Sequence, residues 1–301
     1  MSTFLKWFLG IVIGILGLIL IIFLISWFSF NSWRSEAVLA LPGNSKIAET
    51  SKGPMEYIIE GSSQNYILLL HGTPGSYRTF NTDPFLENEY SVLSPSRPGY
   101  FRTPLSVGKT PEEQADAIAA LMDTLHIDAV VAVGYSGGGP YAALFALRYP
   151  EKCQKLVLIS SITKKIEEVP SIQNMFSFDF GTWFVVKMMI SQIEEEAFAR
   201  KAEKYVQSDI FPTDQTNTGR ENDFNNFINL PEIPYEKIKV PTLIIHGTKD
   251  EAIPYQQAEE MASRIPDVRL ITMEGKEHFD VVFFGIKDVY SKIMNDIKRS
   301  K

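Results

Sequence analysis

Hydrophobic positions along the chain follow two regimes. From Trp7 to Phe30 they are continuous: WFLGIVIGILGLILIIFLISWFSF contains no charged residue. As a helix rising ~1.5 Å per residue it would span about 36 Å, more than the ~30 Å hydrocarbon core of a bilayer. Trp7, Trp27 and Trp33 stand near its ends, at the level where amphipathic rings favour headgroups, and Gly10, Gly14 and Gly17 are tolerated in lipid. The pattern predicts a membrane anchor and flank over residues 1–34 and a separate domain over 35–301. A cleaved signal peptide competes with it, with Val38-Leu39-Ala40 as a small-residue site. The run, however, exceeds the ~7–15 residues of a signal core, and that site lies well past its end. The amino terminus and Lys6 flank one side, Arg34 and Lys46 the other, so the positive-inside bias nearly cancels. A short leading tail before a large domain resembles a signal anchor, which gives a single-pass protein with its domain outside the cytoplasm.

After Ser35 the continuous pattern gives way to short apolar runs alternating with helical stretches, as in βα units on a mostly parallel sheet. Strands are predicted at Met55–Glu60, Tyr66–Leu70, Ser91–Pro95, Ala129–Val133, Leu156–Ser160, Thr242–Ile245 and Val268–Thr272, with Gly53-Pro54 and Gly61-Ser62-Ser63 as turns. Thr110-Pro111-Glu112-Glu113 reads as a helix start: Thr110 caps, Pro111 takes the first helical position, Glu113 closes a capping box, and Ile118, Met122 and Leu125 mark the buried face. Between about 163 and 235 the strand rhythm stops. Met175, Phe176, Phe178, Phe180, Trp183, Phe184, Met188 and Met189 precede a charged helical run, Glu194–Lys204, and the whole reads as a helical insertion. The fold class is α/β: a mostly parallel central sheet flanked by helices and interrupted by a helical cap.

Composition narrows the chemistry. The 301 residues are 45% hydrophobic and 22% charged, enough to bury a core. Formal charge is −7, and because Lys6 and Arg34 supply +2 within the first 34 residues, the remainder carries −9. That balance argues against nucleic acid or an anionic lipid surface as a partner. Cys153 is the one cysteine, which excludes an internal disulfide framework and a cysteine-rich zinc site. No HxxxH, CxxC or clustered carboxylate-histidine spacing suggests a metal, and Gly137-Gly138-Gly139, followed by Pro140, has the wrong spacing for a dinucleotide loop. No metal or cofactor is expected.

The most informative residues are Gly134-Tyr135-Ser136-Gly137-Gly138, a GxSxG between an apolar strand and a plausible helix, Tyr141–Arg148. In that context the serine sits on a strained strand-to-helix turn, where flanking glycines admit close backbone approach. His71-Gly72-Thr73-Pro74-Gly75 follows the strand Tyr66–Leu70, and Ser96-Arg97-Pro98-Gly99-Tyr100 follows Ser91–Pro95. With these segments in this order the chain resembles the α/β-hydrolase superfamily over roughly Met55 to Ile297. His71–Gly75 is similar to its HGxPG loop, and Ser96–Tyr100 to its DRPGYG turn, with Ser96 in place of the acid and Phe101 in place of the last glycine.

A serine hydroxyl needs a base and a group that orients the base. Asp250, after the strand Thr242–Ile245, and His278, after Val268–Thr272, complete the order Ser136, Asp250, His278 that this fold uses. Glu251 and Asp280 remain alternatives for the acid, and Asp250 also stands where it would cap a helix beginning near Pro254. His71 and His246, each before a glycine at a strand end, read as packed structural histidines; His126, at a helix end, reads as a dipole contact. The resemblance implies an oxyanion hole from the N–H groups of Gly137 and Thr73, with the Thr73 hydroxyl either a further donor or solvent-facing. It also implies a substrate pocket beneath the cap, where Trp183, Phe184 and Met188 would contact an apolar acyl group, although helix packing explains part of that apolarity. Glu194–Glu196 would recognise a substrate amine or form a solvated face.

The expected activity is a membrane-anchored serine hydrolase acting on a small ester or thioester. Prolyl-aminopeptidase-like cleavage of short peptides is the runner-up, weakened because Thr73 replaces the middle glycine of that branch's HGGPG and the elbow is not its GxSWG. Carbon–carbon bond hydrolysis by the same triad stays open, as does a ligand receptor of this fold. Ser136 disfavours haloalkane dehalogenation, which uses an aspartate nucleophile.

Overall fold

The computed structural model describes residues 3–39, 43–168, 177–190, 209–278, 280–281 and 286–299. Met175, Phe176 and the run Glu194–Lys204, including Glu194–Glu196, lie outside the described residues. A long helix α1 (Thr3–Leu39) carries the uncharged run. It is long and apolar enough to cross a membrane, and most of its apolar side chains are exposed.

The domain is built on an eight-stranded sheet: β1 (Lys46–Thr50), β2 (Gly53–Glu60), β3 (Tyr66–Leu70), β4 (Ser91–Pro95), β5 (Val130–Tyr135), β6 (Cys153–Ile159), β7 (Thr242–Gly247) and β8 (Val268–Met273). Their order is β1-β2-β4-β3-β5-β6-β7-β8. β2 runs antiparallel to both neighbours, and the pairs from β4 to β8 are parallel. Alternate residues of β3 enter separate cores, as a sheet covered on both faces requires. Leu68 and Leu70 pack with α3 (Pro111–Thr124), α4 (Gly139–Arg148) and α7 (Tyr255–Arg264), whereas Ile67 and Leu69 pack with Phe85 of the four-residue α2 (Asp83–Leu86) and with Val289, Ile293 and Ile297 of α8 (Ile286–Arg299).

The sequence does not announce β1: of KIAET only Ala48 is buried, so this edge strand has too little apolar content to read as one. Gly53-Pro54 is correspondingly not a turn but the start of β2. Pro54 pairs with Glu49 of β1 alone, because β4 joins β2 only from Tyr57 onward, so its missing N–H breaks no bond to a second neighbour. The capping box on α3 is formed. Glu113 N–H donates to Thr110 Oγ1 at 3.2 Å, and Glu113 Oε2 accepts from the Thr110 N–H at 3.0 Å. Two helices of the insertion, α5 (Asp179–Ile190) and α6 (Asn217–Ile228), are described between β6 and β7.

The topology fixes where a site can form. Strand order reverses beside β3, whose neighbours are β4 and β5, and loops leaving the carboxyl ends of such strands diverge into a crevice. Leu70 pairs with Gly134 across β3 and β5, so the loop carrying Thr73 and the turn carrying Ser136 emerge side by side.

Candidate active site

Ser136 leaves β5 at φ +51°, a left-handed conformation that costs a non-glycine residue energy and is retained where the fold forces it. The neighbouring glycines are sterically required. A Cβ on Gly134 would lie 2.7 Å from Ala142 Cβ, and one on Gly138 only 2.4 Å from the Leu70 carbonyl oxygen. The turn presents Ser136 partly exposed, at the amino end of α4.

His278 follows β8 and reaches back to this serine, its Nε2 lying 3.0 Å from Ser136 Oγ. Its Nδ1 lies 2.8 Å from Asp250 Oδ2, after β7. The tautomer that satisfies both has Nδ1–H donating to the carboxylate and Nε2 accepting from the serine hydroxyl. Tyr135 stacks on the imidazole at 5.5 Å between ring centres, backing it from the elbow itself.

Asp250 is held by more than His278. The Ile253 N–H donates to Asp250 Oδ1 at 2.7 Å. His246 Nε2 approaches Oδ2 at 3.3 Å while also facing the Ile253 carbonyl at 2.8 Å. Burial by itself would raise the carboxyl's pKa, but the hydrogen bonds from His246 and His278, the electrostatic pull of the His278 ring and the Ile253 amide outweigh it and hold Asp250 well below the usual carboxylate range. Asp250 therefore braces its own turn and does not cap α7, whose first turn receives no side-chain bond. Of the alternative acids, Glu251 is exposed, and Asp280 accepts the Glu277 N–H at 3.1 Å.

The sequence-predicted oxyanion pair is brought together. A Cβ on Gly137 would fall 2.4 Å from Thr73 Oγ1, so the two residues are in contact. The Thr73 hydroxyl is neither solvent-facing nor a spare donor: it donates to Asp223 Oδ2 of α6 at 2.6 Å. That carboxylate is the hub of a buried network invisible in the sequence. Arg97 forks onto it at 2.8 and 2.6 Å, and Tyr100 and Tyr141 each donate to it at 2.7 Å. The same guanidinium donates to the His71 carbonyl at 3.0 Å and the Gly72 carbonyl at 2.9 Å, clamping the loop that carries Thr73. His71 is the packed histidine expected. Its Nε2 accepts from the Arg97 N–H at 3.0 Å, and burial together with the Arg97 charge pushes its pKa well below the ordinary value, so it stays neutral.

The three residues expected in a substrate pocket have other neighbours. Trp183 is buried against Phe30 of α1 and against Phe180, whereas Phe184 and Met188 are 40% and 58% exposed. The physical reason is the apolar surface of α1, which gives the apolar α5 a partner outside the domain. A cleft of about 400 Å³ opens elsewhere, lined by residues including Thr163, Leu230, Tyr235 and Arg264 and by no triad residue. Among the described residues no three His, Cys, Asp or Glu side chains gather as metal ligands.

The geometry agrees with the chain's likeness to known proteins. Residues 65–284 match the family profile described as alpha/beta hydrolase fold. The chain belongs to the α/β-hydrolase family. A hydrolase from Bacillus subtilis, YcgS, is 34% identical over 113 residues, covering 38% of this chain and 40% of that protein, so the match spans about two fifths of its length. A 2-hydroxy-6-oxononadienedioate/2-hydroxy-6-oxononatrienedioate hydrolase from Burkholderia vietnamiensis is 27% identical over 241 residues, covering 72% of this hydrolase and 81% of the relative. An esterase structure from Thermogutta terrifontis superposes with a TM-score of 0.68 at 21% identity, over 85% of this chain and 98% of that one, a likeness of fold.

Proposed function

We propose that this α/β hydrolase is a membrane-tethered serine esterase that cleaves esters or thioesters of apolar acyl groups through Ser136, His278 and Asp250. The observation that carries the proposal is the relay from Ser136 Oγ to His278 Nε2 at 3.0 Å and from His278 Nδ1 to Asp250 at 2.8 Å. Ser136 Oγ attacks the carbonyl carbon as its proton passes to Nε2, and the N–H groups of Thr73 and Gly137 receive the oxyanion. Collapse breaks the bond to the leaving alcohol or thiol, which departs with the proton from His278. Water, deprotonated by the same imidazole, then releases the acid from the acyl-serine. Asp250 stays ionised and orients the ring. α1, with its uncharged run, supplies the tether.

A fluorophosphonate probe tests the nucleophile. Labelling is expected in the native chain and absent in Ser136→Ala; a folded native chain that resists the probe would instead be a ligand-binding member of this fold. A panel of p-nitrophenyl esters of increasing chain length, run beside a proline arylamide, tests the bond type. Preference for longer acyl chains is expected, and faster arylamide cleavage would make the protein a peptidase.

Carbon–carbon bond hydrolysis is favoured as a second reading by the Burkholderia relative, whose named substrates are dioates. The charge of −9 on the domain weighs against a dianionic substrate. Assaying 2-hydroxy-6-oxononadienedioate beside the esters decides between them.

A further inference from the structure

Two helices remote in sequence share one apolar face. Arg34, the first charge after the uncharged run of α1, pairs with Asp179 at the start of α5 at 3.1 Å. The next residue, Phe180, lies against three aromatic rings spread over two turns of α1: Phe30 at 5.4 Å, Trp27 at 5.6 Å and Phe23 at 5.8 Å between ring centres. From Phe30 back to Phe23 is about 10 Å along a helix. The start of α5 therefore lies beside the last two turns of the uncharged run and not beyond them.

From Phe180 the apolar surface continues outward. Phe180, Phe184 and Met188 succeed one another at intervals of four and form one ridge of α5. Phe180 stacks on Phe184 at 6.1 Å, and beyond it Phe184 and Met188 stand exposed, as does Phe178 at 56%. Only Asp179 and Lys187 are charged in α5, and Asp179 is paired with Arg34. The face is thus continuous with the surface of α1, and a bilayer that receives Phe23 and Trp27 meets Phe180 beside them, with Phe184 next along the ridge. A water-facing cap helix would carry polar residues there.

Resting on the membrane tether proposed above, we propose that the ridge Phe180–Phe184–Met188 of α5 is a second membrane contact, seated at the boundary between headgroups and acyl chains of the bilayer that α1 crosses. It turns the carboxyl edge of the sheet toward the lipid. Trp33 of α1 packs on Phe211 at 5.0 Å. Nearby Asp209 accepts hydrogen bonds from Thr79 and from Ser76, the latter at 3.2 Å, both in the loop that carries Thr73. The substrate class that fits is an acyl ester dissolved in the membrane.

Site-directed fluorescence tests this on the full chain in phosphatidylcholine vesicles. Cys153 is buried and its thiol is pushed up to about 12, so an introduced cysteine takes the label. An environment-sensitive dye is placed in turn at Phe184→Cys, Met188→Cys, Ile15→Cys within α1, and Asp128→Cys at the opposite edge of the sheet. Lipids carrying a nitroxide high on the acyl chain are the quencher. Blue-shifted emission and loss of most fluorescence at 184 and 188, with no loss at 128, is the expected result. Quenching at 15 but not at 184 and 188 overturns the second contact and leaves the tether standing; no quenching at 15 removes the tether as well. Equal quenching at 128 shows no preferred face and overturns the proposal. Labels at 184 and 188 shielded from both the nitroxide lipid and a water-soluble quencher assign the ridge to a protein partner, with the same consequence.

Discussion

At Asp250 donors converge on one carboxylate from His278, His246 and the Ile253 amide, and their balance with burial sets how the residue responds to pH. Its pKa is depressed in the folded chain. It therefore adds stability that is complete above the unfolded value of about 3.9 and is lost as pH falls from there toward the folded value. Urea unfolding of the native chain and of Asp250→Asn should show a gap near neutral pH that narrows on acidification below about pH 4; a gap independent of pH removes the assignment. In activity, Asp250→Asn should lower kcat by about 10⁴, because an amide no longer enforces the Nδ1–H tautomer of His278. Steady-state ester hydrolysis measures it, and a loss below tenfold would point to Glu251 or Asp280 as the orienting acid.

Among elements, α6 is tied to the site through one side chain. Asp223 accepts from Arg97 after β4, Thr73 after β3 and Tyr141 of α4, so a single carboxylate locks three elements against the helix that bears it. Both partners of the Arg97–Asp223 pair are essentially without solvent. Asp223→Ala leaves the guanidinium buried and uncompensated, and a loss of about 3–5 kcal/mol is expected by urea unfolding. Asp223→Asn keeps the size but not the charge, so it also lowers stability; its kinetics carry the test, because with the Thr73 loop loosened kcat should fall by about 10²–10³ at nearly constant KM, whereas a purely structural role lowers Tm and leaves the kcat of the folded enzyme unmoved. Thr110→Ala, which removes the cap of α3, should cost about 1 kcal/mol without touching kcat.

The same elements explain what a sequence can disclose. Buried strands such as Tyr66–Leu70 announce themselves by unbroken apolarity, and Ser136, His278 and Asp250 by the short motifs around them. Asp223 does not: it sits in the polar run Asn217–Asn226, which reads as a solvated helical face, and its partner Arg97 is 126 residues away. Tyr135 and His246 were in view as motif positions, but their service to His278 and Asp250 depends on side-chain directions that only packing sets. Trp183, Phe184 and Met188 are legible as apolar and illegible in direction, because nothing in an uncharged anchor-like run shows that α5 packs beside it.

For the whole molecule, the distribution of charge decides how the tether proposed above would hold it at a membrane. A protein attracted by anionic headgroups needs clustered lysine or arginine, and its binding weakens as salt screens the surface. Here Lys6 and Arg34 are the basic residues flanking the uncharged run, and the domain carries −9. On the proposed tether, attachment comes from apolar burial of α1, where large apolar side chains stand exposed from Phe4 to Ile25. Sedimentation with neutral phosphatidylcholine vesicles should be unchanged between low and high salt and should survive alkaline carbonate, and added anionic lipid should not strengthen it. Release by salt would mean a peripheral, electrostatic attachment. Intact-mass measurement of chain recovered from membranes separates the remaining possibility: a mass that includes Trp7–Phe30 is expected for an anchor, and its loss by cleavage after Ala40 would identify a signal peptide, leaving α5 without its aromatic partners Phe23, Trp27 and Phe30 and Phe211 without Trp33.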